Sequence, residues 1–247
     1  MVTKEDIIKV ARREKLSLGI IEKDFVLTHI LKKIYASNLK DKLIFKGGTA
    51  LHKIYLHKRL STDLDFTKLN NFSLEELKRV IEDKEINSKI KDSYENQDSM
   101  NIVLGYTSVL NYKDNIKIQI SKREKPILNI IRHKLKSYFY PDFEILTFKF
   151  EELVAEKIRA LIQRNKPRDY LDIYYILNKK GINFAMTIKL AKQKLLNVND
   201  FYDTNRIFNN LDLVKNSWEK DLGGLMLNAP DFNNVIKKIN KYFANLK

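Results

Sequence analysis

Two neighbouring stretches constrain the fold of this chain more than any other feature. Leu43-Ile44-Phe45 runs apolar and stops at Gly47-Gly48, after which Ala50, Leu51, Ile54 and Tyr55 recur at helical spacing. A little further on, Asp63-Leu64-Asp65-Phe66 alternates with period two. On a strand that alternation puts both carboxylates on one face and packs Leu64 and Phe66 on the other. The predicted order is therefore strand, glycine turn, helix, strand. Two like charges side by side do nothing for folding, so the acidic pair is a candidate for holding a cation.

Around this centre the pattern is mixed. Ile7, Val10 and Ala11, then Phe25, Val26, Ile30, Leu31 and Ile34, predict helices from Thr3 to about Ser37, with a break at Leu16-Ser17-Leu18-Gly19 and a capping pattern at Thr3 and Asp6. Ser73 with Glu76 opens another helix, expected to run to about Lys91. Strands are expected at 101–109 and 115–121, turning at Lys113-Asp114-Asn115. Beyond Pro141 apolar stripes predict helices at 150–164, 168–178, 184–196, 200–209 and 230–246, with Pro230 suited to a first helical position. The expected fold class is α+β: a lobe with a mixed sheet over 1–148 and a helical lobe over 149–247. No Pro/Gly/Ser-rich linker divides them.

Composition limits the chemistry. With 247 residues, 44% of them hydrophobic, the chain can bury a sizeable core. Lys and Arg total 46 against 31 Asp and Glu, a formal charge of +15, which favours a polyanionic partner through counterion release. A solvated, lysine-biased surface gives the same number. The absence of cysteine excludes disulfides, thiolate zinc sites and a cysteine nucleophile. His29, His52, His57 and His133 have no zinc-ligand spacing, so oxygen ligands are expected for any metal, although His52 and His57 lie where they would meet substrate. The charged start of the chain lacks the apolar run of a signal peptide, and no stretch is long enough to span a bilayer. The expectation is a cytoplasmic protein without a membrane partner.

A Gly-Gly turn leading into a helix lets backbone N–H groups approach phosphate, and Lys46, Lys58 and Arg59 add positive charge. This order of elements resembles the signature of the polymerase β-like nucleotidyltransferase superfamily. More closely, the chain resembles the AbiEii/AbiGii toxin family of nucleotidyltransferases, found with viral defence and type IV toxin–antitoxin systems. The resemblance rests on Ile21-Glu22-Lys23-Asp24-Phe25, on Phe45-Lys46-Gly47-Gly48-Thr49-Ala50-Leu51, on 151–161 and Arg164, and on Arg168-Asp169-Tyr170-Leu171-Asp172. It implies a polymerase β-like core with a C-terminal helical lobe, and transfer of a nucleoside monophosphate from a nucleoside triphosphate (NTP) to RNA, for instance the tRNA 3′ end. Mg2+, or Mn2+, would be the cofactor, and a separately encoded antitoxin the partner. Asp63 and Asp65 would then bind metal and catalyse. Lys46, Gly47, Gly48, Thr49, Arg59 and Ser61 would bind nucleotide. From the helical lobe Lys157 would act in both catalysis and nucleotide contact, Arg164 and Asp169 in nucleotide binding, and Asp172 in catalysis.

One position departs from the superfamily pattern. The strand around Ile116-Lys117-Ile118-Gln119-Ile120 offers Gln119 where a third carboxylate is expected, and an amide is a weak metal ligand and a poor base. Glu124 would substitute if the strand bends. Two other readings follow: a basic nucleic-acid-binding module with impaired catalysis, or an enzyme whose acceptor is a protein hydroxyl. The basic and aromatic run from Ile131 to Tyr140 is a weaker candidate for single-strand binding, against the alternative of core packing.

Overall fold

The computed structural model describes residues 2–243, which fall into two compact units divided after Phe148. The first unit opens with α1 (Lys4–Glu14) and α2 (Leu18–Tyr35). Thr3 and Asp6 form a reciprocal cap, Lys15 ends α1 in the left-handed region, and Ser17 caps α2. Leu18 and Gly19 thus belong to α2 and not to the break. α2 buries Ile21, Phe25, Leu27, Ile30, Leu31 and Ile34 completely or nearly so, which makes it a central helix whose polar residues need partners. Glu22 accepts from the Leu110 N–H at 2.7 Å, and Asp24 pairs with Lys53 Nζ at 2.5 Å.

The sheet has seven strands in the order β3-β4-β5-β2-β1-β7-β6: β1 (Leu43–Lys46), β2 (Asp63–Lys68), β3 (Lys89–Glu95), β4 (Ser99–Thr107), β5 (Lys113–Ser121), β6 (Ile131–Leu135) and β7 (Phe143–Thr147). It is mixed, because β1 runs parallel to β7 and β2 parallel to β5 while the other pairs are antiparallel. β1 is buried throughout, and Phe45 packs against Phe66 with ring centroids 5.7 Å apart and the rings tilted by 43°. Each such ring contributes about 1.5–3 kcal/mol by leaving water. The pairing of β1 with β7 has the single register partner Phe45–Thr147. Side chains complete it: the Tyr35 hydroxyl lies 3.0 Å from the Leu43 carbonyl and 2.8 Å from that of Leu146, and accepts from the Phe45 N–H at 3.1 Å. Thr147 Oγ1 donates to the Phe45 carbonyl at 2.8 Å.

After β1 the chain turns through Gly47 into α3 (Gly47–Ala50), prolonged by a π-helical turn, Leu51–Leu56. α4 (Leu74–Ile81) is shorter than its sequence suggests. Its amphipathic pattern ends at Ile81, and Lys89 already begins β3, an exposed charged edge strand without an apolar signal. Lys113, Asp114 and Asn115 pair within β5 instead of turning; the loop precedes them, with Asn111 in the left-handed region. Strands β6 and β7 have no counterpart among the expected elements, because both are short and β6 is mostly exposed.

The second unit is helical: α5 (Phe150–Arg164), α6 (Pro167–Leu177), α7 (Phe184–Leu196), α8 (Leu211–Leu222) and α9 (Phe232–Phe243). Pro167 starts α6, where its missing N–H costs nothing. The stretch expected as a helix at 200–209 is a short 3-10 turn, Thr204–Phe208, and Pro230 precedes α9 without entering it. The expected end of that helix at 246 lies outside the described residues. No helix of the described residues is long and apolar enough to cross a membrane.

Candidate active site

β2 carries the acidic pair as period two requires: Leu64 and Phe66 are fully buried, while Asp63 and Asp65 are half-buried on the opposite face. In register, Asp65 stands beside Lys46 of β1 on one side and Gln119 of β5 on the other. The Gly-Gly turn packs directly against it. Gly47 has φ +74°, and a Cβ built there would overlap Asp65 Oδ2 and come within 2.7 Å of Asp65 Cβ and Cγ. Only glycine brings backbone this close to the carboxylate, and only glycine takes this φ without strain. Thr49 is turned inward, its hydroxyl donating to the Asp63 carbonyl. It ties the first helical turn to β2.

Positive and negative groups surround the pair. Lys46 Nζ lies 3.0 Å from Glu124 Oε2, both side chains being largely buried. The third carboxylate beside this face is therefore Glu124, reached after β5 ends at Ser121, while Gln119 occupies the strand position itself. Arg59 and Ser61 are buried, and Arg59 Nη1 donates to the Leu60 carbonyl at 3.0 Å. His52 Nδ1 accepts from the backbone N–H groups of Lys58 and Arg59 at 3.4 and 3.3 Å, so His52 shapes the turn leading into β2. His57 closes the π-helical turn in the left-handed region. The donor set offered by Asp63 and Asp65, hard carboxylate oxygens on one open face beside a side-chain-free turn, fits a hard divalent cation such as Mg2+.

The helical unit has a polar centre of its own. Lys157 Nζ bridges two fully buried carboxylates, Asp169 at 3.1 Å and Asp172 at 2.8 Å. Arg164 reaches the same Asp169 through Nε at 2.7 Å and Nη2 at 2.9 Å. Burial pushes the Asp169 carboxyl up, but Lys157 and Arg164 outweigh it and hold it below the ordinary range. Within this unit the four predicted residues Lys157, Arg164, Asp169 and Asp172 are thus brought together. A second buried cluster went unforeseen: Lys194 of α7 contacts Glu152 at 2.9 Å and Glu156 at 3.4 Å. On α5 alone both glutamates lie at i, i+4 spacing suited to surface ion pairs, and the partner that buries them lies on another helix.

The family model described as "Nucleotidyl transferase AbiEii toxin, Type IV TA system" matches residues 29–245. The chain belongs to the AbiEii family. It is a nucleotidyltransferase, the toxin component of a type IV toxin–antitoxin system, and the family implies an NTP substrate and an antitoxin partner. The fold is shared by solved structures. MenT4, a nucleotidyltransferase toxin from Mycobacterium tuberculosis H37Rv, aligns over 100% of this chain and 90% of its own with a TM-score of 0.76 at 17% identity. JHP933 from Helicobacter pylori aligns over 94% of this chain and 92% of its own with a TM-score of 0.62 at 18% identity. No curated protein sequence matches the chain.

Proposed function

We propose that the protein transfers a nucleoside monophosphate from an NTP to an RNA acceptor, such as the 3′ end of tRNA, in a Mg2+-dependent reaction. The observation that carries this reading is the contact of Gly47 with Asp65: a turn stripped of side chains abuts a carboxylate that shares its strand face with Asp63. Asp63 and Asp65 would hold the divalent ions, which neutralise the triphosphate and lower the pKa of the attacking hydroxyl. Gly47, Gly48 and the Thr49 backbone would present N–H groups to the triphosphate, with Lys46, Arg59 and Ser61 around it. The acceptor hydroxyl oxygen attacks the α-phosphorus, its proton passes to Asp65, and the bond to pyrophosphate breaks. For Lys157, Arg164, Asp169 and Asp172 the support is the family resemblance together with their mutual contacts in the helical unit.

RNA as acceptor is favoured by the +15 charge. The register row through Asp65 adds to it, continuing through Gln119 and Asn101 to the exposed Tyr94. Polar groups ending in an exposed aromatic suit a nucleotide chain leading to the carboxylates. Gln119 beside Asp65 favours a second reading, a nucleic-acid-binding module with weak catalysis. Incubation with each labelled NTP, Mg2+ and total RNA separates the cases. Label in RNA supports the proposal, label in protein replaces the acceptor, and RNA retention without label supports the second reading.

A further inference from the structure

His29 of α2 is buried, and its two ring nitrogens meet different groups. Nδ1 lies 2.6 Å from the hydroxyl of Tyr140, between β6 and β7. In the tautomer in which Nδ1 donates to that oxygen, Nε2 presents a lone pair. Nε2 is 3.2 Å from Asp83 Oδ1, yet it is shut off from solvent without a hydrogen-bond partner. In that tautomer a cation held between Nε2 and Oδ1 would satisfy both atoms.

The ligand atoms of His29, Asp83 and Glu85 all lie within 4.8 Å of one another. Two ligands about 2.0–2.1 Å from a tetrahedral metal are about 3.3 Å apart, which the Nε2–Oδ1 separation matches. The hydrogen bond from Nδ1 to an oxygen is the outer contact that metal-bound histidines generally make. We infer that His29, Asp83 and Glu85 form a site for a divalent transition-type cation of the zinc class, separate from the Asp63–Asp65 pair. The imidazole selects against Mg2+, which prefers oxygen. Lys33 Nζ, 2.7 Å from Asp83 Oδ2, occupies the other oxygen, while Oδ1 also accepts the Glu85 N–H at 2.8 Å. Lys32 lies over the far ring of Tyr140 at 4.0 Å. The bound ion ties α2 to the loop that follows α4, in the body of the sheet-bearing unit.

The test uses the full chain carrying Asp63→Asn and Asp65→Asn, so that the transfer site does not compete. After chelation and dialysis against Zn2+ in excess Mg2+, elemental analysis should find one zinc per chain, with a raised Tm and, for Co2+, a visible d–d band. Glu85→Gln alters an exposed side chain and should weaken zinc at least about tenfold while leaving transfer activity in the otherwise wild-type chain unchanged. Adding His29→Gln should abolish binding. Folded protein that takes up no zinc, or equal uptake after Glu85→Gln, overturns the site. Should the His29 variant not fold, the Glu85 comparison decides alone.

Discussion

Gln119 stands beside Asp65 in the parallel register of β5 against β2. An amide there leaves the strand one carboxylate short of the superfamily pattern, and Glu124 is engaged with Lys46. Gln119→Glu should therefore lower the Mg2+ concentration needed for half-maximal transfer by about tenfold, since a carboxylate binds a hard cation more tightly than an amide. Mg2+ titrations of both proteins with one labelled NTP measure this. An unchanged titration would show that the third ligand is not limiting.

Asp63→Asn and Asp65→Asn should each reduce transfer by at least roughly 10²–10³-fold, the loss typical of removing one electrostatic stabiliser. Stability should change by no more than about 0.5 kcal/mol, since both side chains are only half-buried and their mutual repulsion is relieved. Single-turnover kinetics and thermal melts on the same preparations give both numbers. Near-wild-type transfer in both variants would sink the assignment of the acidic pair.

Gly47→Ala has two costs, the left-handed backbone and the collision with Asp65. A control separates them, because Gly181 has φ +81° with nothing within 4 Å of the added Cβ. Gly181→Ala should cost about 1 kcal/mol of stability, whereas Gly47→Ala should cost more and should also abolish transfer by displacing the carboxylate. Equal stability losses with transfer intact would make the glycine a simple turn.

Lys157→Ala should destabilise by about 3–5 kcal/mol, because it leaves Asp169 and Asp172 buried with one cation fewer. Loss of transfer in this variant must be read against its unfolding curve. Asp169 also sets an acid limit. Its folded pKa lies below the ordinary 3.8, so its contribution is complete above that value and is lost as pH falls through the lower, folded one. Lys157 and Arg164 face it directly, and Asp172 shares Lys157 with it. Denaturant unfolding from pH 7 down to pH 3 should steepen at the acid end, and Asp169→Asn should flatten that slope.

The acidic pair, the glycine turn and the long helices were legible because each rests on local periodicity or backbone chemistry. What escaped were features defined by distant partners. β3 shows no apolar alternation because it is an exposed edge, and its charges suit that place. The burial of Glu152 and Glu156 depends on Lys194 from another helix, which no spacing within α5 signals. His29 carries no metal-ligand spacing because Asp83 and Glu85 reach it from another element. Glycine spacing also did not reveal which of the pair is indispensable; the positive φ and the contact with Asp65 single out Gly47.

The Tyr35 hydroxyl has one proton for two carbonyls, Leu43 on β1 and Leu146 on β7. The seam between these strands is consequently held by side chains as much as by its one backbone pair. That shared proton is worth about 0.5–1.5 kcal/mol to whichever strand's carbonyl accepts it. The strand that leads into Gly47 is thereby fastened to β7 by side chains more than by a run of backbone pairs.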